Sequence, residues 1–308
     1  MNVTTTPRHL PTKPTVALVG AGAVGLVIVA AFARAGWDVC VCGARAPFEQ
    51  IAVEEGERTQ SYPVRHVRAP AELGACTVAV VAVKAHQTAA VADWLRALNR
   101  RDMPALLAQN GLEHCERLAT YAPMAAGMPA VVYFNAARLA PGRSVLRRIG
   151  EVDLCLPAST VVHKSVVALQ KGGLRVVTAA DMTTVVWSKL LTNSAANPLT
   201  ALSGQPTGVM HAPAMLANAR QIMTEVVQVG QAEGAALTER HVEQALAWLQ
   251  TIPPESMTSM LQDRLAGRTL EYDAITGAIV RAAERHALDV PLNRFMLGLL
   301  SAIRSSKP

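Results

Sequence analysis

The feature that most constrains the fold is a glycine-rich turn between a short apolar strand and a helical stretch near the start of the chain. The strand Thr15-Val-Ala-Leu-Val19 precedes the turn, residues 26–35 are typical of a helix, and Gly36 ends that helix. Residues 37–42 form a second apolar strand, which completes a β-α-β unit. In such a unit the first glycine permits a tight turn, the second lets the backbone approach a pyrophosphate, and the third allows close helix–strand packing. The predicted dinucleotide-binding loop, at the positive end of the helix dipole, consists of Gly20, Ala21, Gly22, Ala23, Val24 and Gly25.

The same segment has two other interpretations. One is a glycine-rich turn that holds no ligand. The other is a signal peptide or membrane anchor, because residues 16–32 are almost wholly apolar and follow Arg8 and Lys13. The three glycines within the run and Arg34 at its end favour a strand, a turn and a helix. We therefore predict no targeting or membrane segment here.

The end of the second predicted strand indicates which cofactor the loop holds. NAD enzymes carry Asp or Glu there to bind the ribose hydroxyls. This chain has Cys42-Gly-Ala-Arg45 instead, without an acid. A guanidinium matches a 2′-phosphate with paired, charge-assisted hydrogen bonds. The sequence therefore predicts NADPH/NADP, with Arg45 as a cofactor-binding residue; the alternative is that Arg45 is an ordinary solvated loop residue.

The remaining pattern predicts an α/β N-terminal domain with a Rossmann-like doubly wound sheet and an all-α C-terminal domain. Strand candidates at 77–83 and 105–108 flank a helix at 89–98, and strands at 131–134 and 151–156 suggest an antiparallel extension around 141–150. Beyond residue 181 the pattern is helical, as in 214–232, 238–249 and 272–286. The predicted divisions are a flexible tail at 1–13, an NADP-binding domain at 14–180 and a helical substrate domain at 181–308.

Composition and charge narrow the classes of partner. Hydrophobic residues make up 51% of the 308, which is ample for a buried core. The net charge is +6, but no dense Lys/Arg tract alternates with aromatics, so we expect no nucleic-acid partner. Five cysteines form no short disulfide framework, which indicates a reducing compartment, the cytoplasm. Cys40 and Cys42 share one strand face with no second ligand pair at zinc-finger spacing, so we predict no metal site.

A polar set within an apolar stretch gives the strongest indication of chemistry. Lys189, Asn193 and Asn197 are four residues apart, which places an amine and two carboxamides along one helix face. Their neighbours are Leu, Ala and Val, among which unpartnered polar groups are costly. Pro198 disfavours helical geometry at Asn197, so we predict a kink or a helix end beside it. Taken alone, this segment is also compatible with a solvated polar stripe on an amphipathic helix.

Five segments follow one another along the chain. They are Gly20-Ala-Gly-Ala-Val-Gly25, Val83-Lys-Ala-His-Gln-Thr88, Gln109-Asn-Gly111, Lys189-Leu-Leu-Thr-Asn-Ser-Ala-Ala-Asn-Pro-Leu-Thr200, and Ser259-Met-Leu-Gln-Asp263 with Glu271. In these segments, which occur in the family's order, the chain resembles the ketopantoate reductase family (2-dehydropantoate 2-reductase) over nearly its whole length. The last two segments are specific to this family among Rossmann enzymes.

The resemblance implies NADPH-dependent reduction of ketopantoate to pantoate, a step toward pantothenate and coenzyme A. A 2-oxo acid needs a hydride at its carbonyl carbon and a proton on its oxygen. The resemblance makes Lys189 the general acid, with an ammonium that also polarises the carbonyl, and partial burial would lower its pKa usefully. It implies that Glu271 binds the substrate hydroxyl and helps to hold Lys189. We expect the site between the domains, which would close over the ligands.

The resemblance assigns further binding residues. Asn193, Asn197 and Ser259 would bind the substrate, Asn110 would serve the substrate and the nicotinamide side of the cleft, and Lys84 would reach the cofactor. Asn110 directly follows an apolar strand, where ligands bind in open parallel sheets. Simpler roles remain possible: a helix N-terminal acid for Glu271, a cap for Ser259 and a turn for Asn110-Gly111.

One departure from the family pattern leaves the substrate open. Many members carry Asn three residues before Ser259, where this chain has Ser256. The expected partner is a small 2-oxo acid, either ketopantoate or another branched 2-oxo acid or ketone. A non-catalytic NADP-binding regulator would need the glycine loop but not Lys189 with Glu271. The sequence leaves open a monomer or a homodimer.

Overall fold

The structure is a computed structural model that describes residues 13–303 of the 308. Residues 1–12, which make up nearly all of the predicted tail, and residues 304–308 lie outside the described part. The strands, numbered in chain order, are β1 Thr15–Val19, β2 Asp38–Cys42, β3 Gln50–Glu55, β4 Arg58–Pro63, β5 Arg65–Val67, β6 Val78–Val81, β7 Pro104–Leu107, β8 Ala126–Pro129, β9 Val131–Val132, β10 Asn135–Ala140, β11 Arg143–Arg147, β12 Leu154–Pro157 and β13 Val176–Ala179.

Helices run between the early strands and through the last third of the chain. They are α1 Ala23–Arg34, α2 Ala92–Ala97, α3 His114–Ala119, α4 His163–Lys171, α5 Met182–Ser203, α6 Pro213–Ala232, α7 Glu239–Thr251, α8 Ser259–Leu265, α9 Ala278–Arg285 and α10 Pro291–Ser301. A π-helical turn, Asp273–Gly277, leads directly into α9. The expected fold class, a Rossmann-like sheet followed by helices, is confirmed.

The main sheet has six parallel strands in the order β5-β2-β1-β6-β7-β8. Its central strands β1, β6 and β7 are runs of Val, Ala and Leu with almost no exposure, as expected for parallel strands covered on both faces. Strand β1 pairs with β2 on one side and β6 on the other, so its carboxyl end lies at the centre of the sheet edge. The glycine-rich loop leaves the sheet there. The apolar run at 16–32 is thus β1 and α1 within the domain core.

Two smaller sheets complete the N-terminal region. The predicted antiparallel pairing of residues 131–134 with 151–156 is confirmed as β9 with β12, which also pairs with β13. Residues 141–150 do not join this sheet, because β11 belongs to a separate four-stranded sheet, β10-β11-β3-β4. The sequence analysis missed that sheet, whose strands carry many polar residues.

Helix α5 runs through Pro198, so of the two predicted alternatives beside Asn197, a kink or a helix end, the helix end was wrong. Asp181 caps its start by accepting a hydrogen bond from the Thr184 amide at 2.9 Å, and Gly204, at φ +71°, ends it. An internal proline costs a helix about 3 kcal/mol. Helix α5 lies at the centre of the C-terminal core, packed against α6, α7 and α8. Burial on this scale offsets the proline's cost.

The helical part has its own core, formed around α5, α6 and the segment that contains α9. No helix within residues 13–303 is long and apolar enough to cross a membrane.

Candidate active site

The glycine-rich loop has the local geometry that its three glycines predict. Gly20 has φ +103°, and a Cβ there would lie 2.5 Å from the Val83 amide nitrogen. A Cβ at Gly25 would lie 2.5 Å from the Gly20 carbonyl oxygen. At Gly22, by contrast, the nearest protein atom would be 3.9 Å from a Cβ. Gly20 and Gly25 are therefore required by the protein's own packing, whereas Gly22 leaves space that a ligand can use.

The start of α1 can accept an anion. Gly22 is its N-cap and provides no side-chain oxygen, and the first turn contains no acidic residue. The first amide groups of the helix thus have no capping partner, and the helix dipole adds positive potential. Arg45 is exposed three residues beyond the end of β2, the strand beside β1. Loop, helix end and guanidinium together fit the phosphates of a dinucleotide.

A cleft lies at the carboxyl end of β7, against helix α5. It is lined by Gln109, Asn110, Gly111, His114, Pro129, Ala130, Val131, Val132, Val186, Lys189, Leu190 and Asn193. The structure therefore brings together Asn110, Lys189 and Asn193, which the sequence analysis placed in one site. In an open parallel sheet, ligands bind beyond the carboxyl ends of the strands.

Lys189 is a cation without an acidic partner. Within residues 13–303, its ammonium makes no hydrogen bond or ion pair, and its nearest aromatic group is the Tyr133 ring, 5.4 Å from Nζ to the centroid. Burial lowers the pKa of Lys189 from 10.5 to about 8, because the charged form loses hydration that no carboxylate replaces. Such an amine can release its proton near neutral pH.

The two asparagines that follow Lys189 also have free hydrogen-bonding capacity. Asn193 lies one turn beyond it, and Asn197 one turn further, with only 5% of its surface exposed. In the part of the chain that the structure describes, neither carboxamide bonds to a protein group. A buried carboxamide without partners costs free energy unless a ligand or water satisfies it. This helix face therefore has the character of a binding surface.

Glu271 precedes the π-helical turn by two residues and contacts the N-terminal region. Its side chain is buried, and Oε1 accepts a hydrogen bond from the Ala85 amide at 3.0 Å. Oε2 accepts one from Asn110 Nδ2 at 3.4 Å. The expectation that Glu271 holds Lys189 is not met, since no hydrogen bond or ion pair joins these two described residues. Glu271 is positioned instead by the N-terminal region.

Lys84 is joined to the helical part of the molecule. It lies three residues beyond the end of β6, and its ammonium forms an ion pair with Asp263 of α8. Asp263 is nearly fully buried and also accepts from Arg268 Nε at 2.8 Å. The predicted cofactor contact of Lys84 would therefore form beside an existing ion pair between the two regions.

Two predicted substrate residues, Asn197 and Ser259, are not among the residues that line the cleft, and Ser259 lies on a different helix. It is exposed at the first position of α8, and the cap of that helix is Thr258, whose hydroxyl accepts from the Leu261 amide at 3.1 Å. Ser256 lies in the preceding turn, where its carbonyl accepts from the Thr207 amide at 2.8 Å.

The sequence analysis missed three residues that shape the site. Gln109 donates to the Val83 carbonyl and to Thr88 Oγ1, both at 3.0 Å, and so ties the ends of β6 and β7 together. His114 Nε2 lies 3.0 Å from the Gln109 carbonyl, and burial lowers the pKa of His114 to about 4, so it is neutral. Tyr133 faces Lys189. Gln109 could have been found because it stands beside Asn110 in the Gln109-Asn-Gly111 motif. His114 and Tyr133 lie outside the matching motifs and gave no local signal.

Comparison with known proteins places this geometry in a family. Residues 16–156 match the family model "Ketopantoate reductase PanE/ApbA", and residues 181–304 match "Ketopantoate reductase PanE/ApbA C terminal". A 2-dehydropantoate 2-reductase from Mycobacterium tuberculosis is 34% identical over 290 residues, which cover 93% of this chain and 97% of that protein.

Solved structures of ketopantoate reductases also match the fold of this chain. A dimeric ketopantoate reductase from Staphylococcus aureus matches with a TM-score of 0.83 and 28% identity, covering 96% of this chain and 100% of that one. A 2-dehydropantoate 2-reductase from Geobacter metallireducens matches with a TM-score of 0.85 and 27% identity, covering 93% and 99%. The chain belongs to the ketopantoate reductase family of NAD(P)-dependent oxidoreductases.

Proposed function

We propose that the protein reduces 2-dehydropantoate (ketopantoate) to pantoate with NADPH, on the route to pantothenate and coenzyme A. The observation that carries this proposal is the face of α5, where Lys189 and Asn193 line a cleft with Asn110 and, within residues 13–303, have no protein hydrogen-bond partners; Asn197 continues this face one turn further. A cationic acid and several amides are what a 2-oxo acid requires: a proton donor for the oxygen and hydrogen bonds for the carboxylate and hydroxyl. The family relationship supports the same reaction.

Each side chain has a distinct task in this scheme. NADPH supplies the hydride when it is bound. Lys189 donates a hydrogen bond to the 2-oxo oxygen and transfers its proton as negative charge develops there. Asn193 and Asn197 bind the substrate along α5. Glu271 accepts a hydrogen bond from the substrate hydroxyl, and Asn110 orients the reacting groups from the sheet side.

The preference for NADPH rests on Arg45. No acidic residue follows β2 where a ribose diol would bind, and the exposed guanidinium of Arg45 has no partner among the described residues. We expect Arg45→Ala to raise KM for NADPH about tenfold while KM for NADH stays nearly constant, because only NADPH carries the 2′-phosphate. Equal effects on the two cofactors would contradict this assignment.

The same proposal gives the organisation of the enzyme. Residues 14–180 form the NADP-binding domain and residues 181–308 the substrate domain. We place the enzyme in the cytoplasm, where its five free cysteines stay reduced.

All proposed site residues come from one chain, so a monomer or a homodimer can hold the site. Exposed Phe295 and Leu299, one turn apart on α10, offer a surface for a second copy, which size-exclusion chromatography with light scattering would test.

A second candidate is reduction of another branched 2-oxo acid or ketone by the same chemistry. Ser256 favours it, because a serine replaces the asparagine that many relatives use toward substrate. The shorter side chain would leave more space and one amide fewer at that end of the site.

The test is a cofactor-oxidation assay with ketopantoate and a panel of other 2-oxo acids. We expect selective turnover of ketopantoate by the wild type, a loss of about 10²–10⁴ in kcat for Lys189→Ala, and no loss for Lys164→Ala on the exposed face of α4. Faster turnover of another 2-oxo acid would support the second candidate. NADPH binding without any turnover would refute both.

A further inference from the structure

The loop that follows β7 is attached to the helical part of the molecule at three successive points. Asn110 donates to Glu271, as described above. The Leu112 amide donates to the Ala274 carbonyl at 3.0 Å, within the π-helical turn. Glu113 forms an ion pair with Arg281 of α9. One segment of four residues thus carries both a proposed site residue and its attachment to the other half of the cleft.

The contact at Gly111 shows how close the two parts lie. A Cβ on Gly111 would be 1.8 Å from the Ala274 carbonyl oxygen, and Gly111 has φ +87°. The loop backbone therefore packs directly on the first turn after Glu271. Any displacement of this loop changes the position of Asn110 relative to Glu271.

The Glu113–Arg281 pair has the geometry of a specific attachment. Arg281 Nε and Nη2 donate to the two carboxylate oxygens of Glu113 at 3.0 and 2.8 Å. Arg281 is itself oriented by Asp273, whose Oδ1 accepts from Nη1 at 2.7 Å. Two hydrogen bonds in parallel fix direction as well as distance. These bonds lower the pKa of Glu113, which is therefore ionised at neutral pH.

The backbone at Glu113 is strained in a way that this pair explains. Glu113 has φ +60°, a left-handed conformation that costs a residue other than glycine about 1 kcal/mol. It is the residue that precedes α3, and its side chain does not cap that helix. The strained conformation instead directs the carboxylate toward α9. Strain of this kind is retained where the surrounding structure depends on it.

We propose that Glu113 and Arg281 are positioning residues, whose ion pair holds the Asn110 loop against Glu271 so that both side chains face the reacting groups. The proposal rests on the proposed function of Asn110 and Glu271. Neither Glu113 nor Arg281 needs to contact substrate or cofactor. The glycine-rich loop lies on a different strand, so binding of NADPH through its phosphates does not depend on the pair.

The experiment replaces Arg281 with methionine, which keeps an unbranched side chain and removes the charge. The matched control is Arg294→Met, because Arg294 pairs with Glu284 entirely within the helical part. Three quantities are measured: kcat/KM for ketopantoate, the Kd of NADPH, and hydrogen exchange of the Leu112 amide. We expect kcat/KM to fall about fivefold and Leu112 to exchange about fivefold faster, as for loss of a partly exposed pair. The Kd of NADPH, exchange within β7, and all values for the control should stay constant.

A second variant separates positioning from simple loss of stability. Glu113→Gly removes the carboxylate, which also lies 3.8 Å from Arg117 Nη1, and relieves the left-handed strain; since these effects oppose each other, its thermal midpoint should change little. We expect the same loss of kcat/KM as in Arg281→Met. Activity that falls only in proportion to stability would overturn the proposal, as would unchanged exchange at Leu112 in Arg281→Met. The exchange measurement needs no substrate, so it decides the positioning role even if wild-type enzyme leaves ketopantoate unreduced.

Discussion

Replacing Lys189 with methionine should make the protein inactive but more stable. In the folded state its ammonium lies at a partly buried cleft and pairs with no carboxylate of residues 13–303, and its pKa falls from 10.5 to about 8. At roughly 1.36 kcal/mol for each pKa unit, this difference corresponds to a cost of about 3 kcal/mol for keeping the charge. The Tyr133 ring stabilises the charged form of Lys189 by about 1 kcal/mol and so offsets part of this cost. Methionine has a similar shape and no charge, so we expect a net gain of about 2 kcal/mol at pH 7.

The pH dependence of this gain provides the sharper test. Between pH 8 and 10.5, unfolded chains keep a proton on Lys189 that folded chains have released, so wild-type stability rises with pH in that range. The advantage of Lys189→Met should therefore shrink to about a third of its neutral-pH value at pH 10. Urea unfolding of the ligand-free protein, followed by circular dichroism, measures it. Lys164→Met, at an exposed site, is the control. The reasoning fails if Lys189→Met is no more stable than this control at pH 7, or if its advantage does not decline with pH.

Three further predictions concern the site and its attachment. Above pH about 8, kcat/KM should fall about tenfold for each pH unit, because Lys189 loses the proton that it donates; a flat profile in initial-rate assays would exclude it as the general acid. Gly22→Ala should fold normally, since its Cβ would lie 3.9 Å from the nearest protein atom, yet bind NADPH at least about tenfold more weakly in a fluorescence titration. Gly111→Ala should lose about 3 kcal/mol of stability or more in urea unfolding, because its Cβ would overlap the Ala274 carbonyl; a smaller loss would mean that the loop moves freely.

The parts of the fold that could be predicted are those with local causes. The strand β1, the glycine loop, α1 and β2 each carry their own signal, and the structure has all four, with α1 starting at Ala23 rather than Leu26. The start is earlier because Gly22 serves as the N-cap, so the last residues of the loop already belong to the helix. The sheet of β3, β4, β10 and β11 gave no such signal. Its strands are rich in polar residues and join segments far apart in the chain, as β11 does with β3.

The candidate site likewise has a part that local sequence could predict and a part that it could not. Lys189 and Asn193 are four residues apart in the sequence, and this spacing alone predicts that they share one face of α5. The partners of Glu271 do not, because the Ala85 amide lies 186 residues away along the chain and carries no side-chain signature. The ion pair of Lys84 with Asp263 similarly joins residues 179 apart. The ion pairs that form between the two regions depend on how the regions pack together. The spacing of residues within one segment does not predict that packing.

The π-helical turn after Glu271 makes the length of this segment critical. Its wider winding accommodates one residue more than an ordinary helical turn, and in it the Ala274 carbonyl accepts from the Leu112 amide. Deleting a single residue from the regular helix that follows, between Gly277 and Arg281, would rotate Arg281 by about 100° relative to Glu271. The Glu271 carboxylate and the Arg281 guanidinium would then no longer both contact the loop that follows β7. Point changes on the outer surface of this segment should be tolerated, but insertions and deletions between Gly277 and Arg281 should be absent from every functional descendant of this chain.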